Sequence, residues 1–112
     1  MPVLIDAETP STQVANNISR KLISLDNLMM VVVDFTDGPQ SAPENPHSHP
    51  HEQISYIAEG EVFLFIDGQK SHLKGGDMFA IPGDMPHCIQ MLTPTVRIID
   101  SFSPIRKEFL KQ

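Results

Sequence analysis

Residues 46–53 read PHSHPHEQ, and three of the chain's five histidines fall in this stretch at a spacing of two. In an extended strand, residues two apart share a face. His47 and His49 would then present two imidazoles side by side, a chelating pair for zinc, nickel, copper or iron. His51 and Gln53 continue the same parity, whereas Glu52 breaks it. Charge alone would choose Glu52 as a third ligand, but parity favours the neutral side-chain oxygen of Gln53. Pro50 invites a turn that takes His51 out of line. A ligand from elsewhere is needed, and His87 is the candidate. It follows the turn IPGDMP, stiffened by Pro82 and Pro86, and opens a strand.

A second chemical feature lies in TVRIIDSF, where Val96, Ile98, Asp100 and Phe102 share one face. A carboxylate among apolar neighbours is costly unless it is paired or functional. Two readings stand: an ion pair with Arg97 or Arg106, or an acid/base whose pKa is raised by desolvation. Arg106 can alternatively supply the positive charge that an anionic substrate requires. His72, in a polar strand beside Ser71 and Lys74, reads as surface. Cys88 reads as a small buried hydrophobe rather than a nucleophile.

The elements that must position these groups are short strands. VVVDF (31–35), ISYIAEG (54–60), EVFLFIDG (61–68), DMFAIP (77–82), HCIQML (87–92) and TVRIIDSF (95–102) are rich in β-branched and aromatic residues, and ISRKLISL (18–25) alternates well enough to join them. Asp67–Gly68 is a hairpin signal. DGPQSAPENP (37–46) holds three prolines and reads as an irregular loop. Only a turn near 10–17 and the tail PIRKEFLKQ (104–112) read as helical, the latter with Pro104 in its first turn. The spacing predicts an all-β sandwich or barrel with a short C-terminal helical segment.

At 112 residues, 40% hydrophobic and 20% charged, the chain suits one globular domain, 1–112, with a core barrel over about 18–103. A net charge of −6 without a basic stripe speaks against nucleic acid as a partner, and an anionic substrate would need a locally positive pocket. No apolar run approaches a membrane span, and no signal peptide is evident. A single cysteine fits a cytoplasmic location.

Taken together, the motifs resemble those of the cupins. His47-Ser48-His49, Gln53 and Gly60 are similar to the first cupin motif, with Gln53 standing where that motif has Glu. Gly76-Asp77, Pro82 and His87 are similar to the second, whose final Asn is replaced by Met91. ISRKL, MMVVVDF, APENPHSHPHEQISYIAEGE, IPGDMPH and IIDSFSPIRKEFL further resemble the small single-domain KdgF-like family of pectin degradation. The resemblance implies a double-stranded β-helix (jelly-roll) fold. It implies one divalent metal ion (Ni, Zn, Mn or Fe) on His47, His49, Gln53 and His87, with Asp100 catalytic and Arg106 beside it. The activity implied is conversion of 4,5-unsaturated monouronates, released by lyases from pectin or alginate, into linear 5-keto-4-deoxyuronates. A small anionic sugar is then the partner, and a homodimer is expected because small cupins often pair through sheet edges. The rival readings are another metal-dependent cupin enzyme, a dioxygenase or sugar isomerase, and a sugar- or effector-binding module without catalysis.

Overall fold

The computed structural model describes residues 3–111, so Met1, Pro2 and Gln112, at the ends of the expected domain and of the expected tail helix, lie outside the described residues. Among the described residues nine strands follow one another: β1 (Thr12–Ala15), β2 (Ile18–Ser24), β3 (Met29–Phe35), β4 (Glu52–Glu59), β5 (Glu61–Ile66), β6 (Gln69–Lys74), β7 (Met78–Ile81), β8 (His87–Met91) and β9 (Val96–Ser103). They form a six-stranded sheet, β1-β2-β3-β9-β4-β7, and a three-stranded sheet, β6-β5-β8. All seven strand pairings are antiparallel. The all-β expectation therefore holds.

Alternation explains the layering. On β4, Gln53, Ser55 and Ile57 are buried while Glu52, Ile54 and Tyr56 are exposed. On β9, Val96, Ile98 and Phe102 are buried on the face that also carries Asp100. Ile57, Val62, Met91, Val96 and Ile98 make one apolar cluster between the sheets, and Met29, Val31 and Phe102 make a second. The Asp67–Gly68 turn has positive φ at both residues (49° and 81°), the backbone of a type I′ hairpin, and it joins β5 to β6.

Three expectations are corrected. The segment near 10–17 is not helical. Thr12–Ala15 pairs with β2 across a turn at Asn16–Asn17, with Thr12 opposite Arg20. Ladder bonds to β2 satisfy its backbone, and Thr12 and Val14 are β-branched. The nearest helical turn comes earlier, at Asp6–Glu8. The tail forms only a five-residue 3₁₀ turn, Lys107–Lys111, too short for a self-supporting α-helix. It is held by Ile105 and Phe109, which pack on the second cluster. The third correction concerns His47 and His49. They do not lie on a regular strand, because β4 begins only at Glu52. Pro46 and Pro50 flank them and lack the N–H groups that a ladder needs.

Candidate metal centre and acid site

What positions His47 is the Pro-rich loop before it. Gln40 donates its backbone N–H to Met91, Glu44 to Ile89 and His47 to His87, so the segment runs along β8 as an irregular edge. His47 and His87 exchange both backbone bonds, at 3.0 and 2.9 Å, in one isolated bridge. That bridge sets their rings side by side, with centroids 4.3 Å apart. His49 is anchored from the other side. Its carbonyl accepts the Asp84 N–H at 2.7 Å from the IPGDMP turn. Gly83 is required there, since a Cβ would fall 2.6 Å from the Pro50 carbonyl oxygen.

Ligand atoms of His47, His49 and His87 lie within 4.8 Å of one another. His49 and His87 are buried and His47 is more open. The hydrogen bonds fix the tautomers. His87 Nδ1 donates to the Met85 carbonyl at 2.8 Å, and His49 Nδ1 donates to the His51 carbonyl at 2.9 Å. Both Nε2 atoms therefore carry lone pairs when the rings are neutral. His87 Nε2 is buried with no protein partner. Burial holds the His47 pKa down at about 4, helped by His87, His49 and Arg106; burial also lowers that of His87. Both shifts favour the neutral imidazole at His47 and His87.

Gln53 lies beside the three histidines. Its Nε2 donates to Ser55 Oγ at 2.9 Å and to Asp100 Oδ1 at 3.2 Å. That fixes the amide so that Oε1 faces His49 Nε2 at 3.1 Å. With the His49 ring neutral and its Nδ1 donating, two acceptors face each other there. A divalent cation resolves this contact, and with the partnerless His87 Nε2 it shows that the residues fit a metal ion. The three-histidine group can bind a metal ion, and the donor chemistry leaves the identity of that ion open.

Asp100 sits opposite Ser55 in the β4–β9 register. Ser55, 1% exposed, donates its hydroxyl to Asp100 Oδ1 at 2.6 Å. Burial pushes the Asp100 pKa up to about 6, against the lowering effects of Ser55, Gln53 and Arg106. The ion-pair reading of Asp100 does not hold. Arg97 faces outward and grips Asp34 with Nε at 2.7 Å and Nη2 at 3.0 Å, and Arg106 Nε donates to Glu108 at 2.8 Å. Arg106 lies over Phe109 and Phe102, with Cζ 4.3 and 5.3 Å from the ring centroids. His47, Gln53, His87, Asp100 and Arg106 all line one cavity of 330 Å³, at the meeting of the two apolar clusters.

Of the remaining residues, Glu52 is exposed, as parity predicts, and His51 is half-buried and contributes its carbonyl to His49. His72 is exposed on β6, 3.9 Å from Glu61. Cys88 is buried, and burial raises its thiol pKa. Ser55 and Arg20 were not singled out from sequence. Ser55 shares the parity of Gln53, and Arg20 shares that of Ile18 and Leu22, which was the available signal.

Residues 31–100 match the Cupin domain family, so the fold is that of a cupin, and the chain belongs to that family. Within it, the pectin degradation protein KdgF of Dickeya dadantii is 41% identical over 108 residues, covering 95% of this chain and 96% of that one. The chain is thus a member of the KdgF group. The structure of KdgF from a Halomonas species superposes with a TM-score of 0.87 at 32% identity, covering 97% and 98% of the two chains. An RmlC-like cupin from Shewanella frigidimarina gives 0.85 at 30% identity, covering 95% and 93%. Among the described residues no helix is long and apolar enough to cross a membrane.

Proposed function

We propose that this chain converts 4,5-unsaturated monouronates into linear 5-keto-4-deoxyuronates by ring opening and tautomerisation. One observation carries the reading. A carboxylate with its pKa near 6 shares a cavity with His47, His87 and Gln53, and Gln53 ties it to the three-histidine group. Likeness to relatives named for pectin degradation supports the substrate class.

The substrate is a cyclic hemiacetal with a double bond between carbons 4 and 5, conjugated to a carboxylate. Opening breaks the bond from carbon 1 to the ring oxygen. The carbon 1 hydroxyl loses its proton and becomes a carbonyl, and the ring oxygen is left as an enol at carbon 5. A proton delivered to carbon 4, with loss of the enol proton, gives the ketone. Atoms and electrons balance without a redox partner. Asp100 is the group that carries these protons, because both of its forms are populated near neutral pH. Ser55 and Gln53 hold it in place from one side. Arg106, with Nε occupied by Glu108, offers its remaining N–H groups to the substrate carboxylate. His47, His49, Gln53 and His87 would hold one divalent ion. When bound, the ion supplies Lewis-acid charge that stabilises negative oxygen.

The test follows loss of the conjugated-acid absorbance with purified protein of known metal content, against the spontaneous rate. Faster loss with a linear keto product by NMR supports the reading; the spontaneous rate from metal-replete protein contradicts it. His49→Ala should strip the metal by elemental analysis, and unchanged content would remove His49 from the ligand set. A cytoplasmic homodimer belongs to the same reading. Light scattering at twice 12.5 kDa supports the dimer, and a monomer removes it.

A further inference from the structure

Five polar side chains of the described residues are buried: His49, Gln53, Ser55, His87 and Arg20. The first four build the metal and acid site. Arg20 has no part in it so far. It is 9% exposed on the inner face of β2, and it lines the same cavity as Asp100, Gln53 and Arg106. Its Nε is buried with no hydrogen-bond partner, and none of the ion pairs among the described residues includes it. Its guanidinium lies on the Phe109 ring, Cζ 3.8 Å from the centroid, and Arg106 lies 4.3 Å from the same ring. Burial and Arg106 lower its pKa, and Glu108 is the acid that opposes them.

A buried cation without an anion is costly, and a cation–π contact offsets only part of that cost. Two guanidiniums on one ring add mutual repulsion, in a chain whose net charge is −6. An anionic ligand in the cavity that both residues line relieves both penalties, and a planar carboxylate matches the guanidinium fork. We propose that Arg20 is a second carboxylate-binding residue of the cavity, which with Arg106 clamps the anionic end of a hexuronate. This rests on the uronate reading above and deepens it. Both guanidiniums rest on the Phe109 ring.

The probe is saturated galacturonate, which lacks the reacting double bond. Its affinity for the metal-loaded full chain is measured by calorimetry in wild type, Arg20→Gln and Arg20→Lys, with metal content and melting temperature recorded for each. We expect Arg20→Gln to weaken galacturonate by about 10–100-fold, the loss of a charge-assisted hydrogen-bond pair. Arg20→Lys should recover part of this, metal content should hold, and KM for the unsaturated sugar should rise more than kcat falls. Wild-type affinity in Arg20→Gln, or no galacturonate binding by wild type at millimolar concentration, overturns the inference. Equal loss in the Lys and Gln variants, with falling melting temperature, also overturns it and makes Arg20 a strut for the tail. If wild type binds galacturonate through Arg20 but leaves unsaturated galacturonate at the spontaneous rate, the clamp stands and the catalytic reading falls. If wild type is active and Arg20→Gln keeps its KM, the clamp alone falls.

Discussion

Two aspartates on neighbouring strands of one sheet have opposite surroundings. Asp34 on β3 faces outward, directly opposite Arg97 in register, and takes a bidentate guanidinium. Asp100 on β9 faces inward, flanked by Val31 and Ser55 in register, and takes only a hydroxyl and an amide. The fold could have paired Asp100 with a cation, since Arg97 is three residues away, but strand parity turns Arg97 to the other face. Arg106 is near enough to be felt by Asp100 yet gives its Nε to Glu108. An acid held by neutral donors in a buried place keeps its proton up to about pH 6. An arginine partner would have removed that property. The difference separates a carboxylate that joins strands from one that can exchange protons.

Substitutions can break this contrast. Asp100→Asn should lower kcat/KM by about 10²–10⁴-fold with metal retained, whereas Asp34→Asn should leave turnover at the wild-type level. Equal losses would erase the distinction. Ser55→Ala comes next. Its hydroxyl lowers the Asp100 pKa, so its removal should shift the Asp100 limb of the kcat/KM profile to higher pH, with a smaller loss of rate. A limb moving to lower pH would mean that Ser55 is not the main support of the ionised form.

The third contrast is in stability of the metal-free protein. The folded pKa of Asp100, about 6, stands above the ordinary 3.8. Its contribution is thus fully present below 3.8 and is lost as pH rises through about 6. Asp100→Asn should gain on wild type across that window in urea titrations and keep the gain above it. A constant difference at every pH would contradict the raised pKa. The smallest effect concerns the outward pair. Asp34→Asn should cost about 0–1 kcal/mol, because Arg97 and Asp34 are each about a third exposed. A loss of several kcal/mol would give that pair a structural weight not expected at a surface.

Much of the site was legible because period-two alternation is a local rule. It separated Gln53 from Glu52 and turned Asp100 inward and Arg97 outward. The same rule misplaced His47 and His49 on a strand. Their convergence comes from a Pro-rich segment docking along β8, and no periodicity encodes a tertiary contact between residues 47 and 87. The N-terminal segment reads as a strand only once β2 is beside it. Ser55 and Arg20 followed the legible alternation but carried no metal-ligand signature of their own. Their importance lies in what they touch, Asp100 across a strand pair for Ser55 and the Phe109 ring for Arg20.

The most direct test of Asp100 as the proton carrier is where hydrogen enters the product. With unsaturated galacturonate in D₂O, NMR at early times reads deuterium at carbon 4 before solvent exchange. A single carboxyl fixed on one wall of the cavity predicts monodeuteration on one face of carbon 4, lost in Asp100→Asn. An equal mixture of both faces from wild type, matching the spontaneous reaction, would contradict the account.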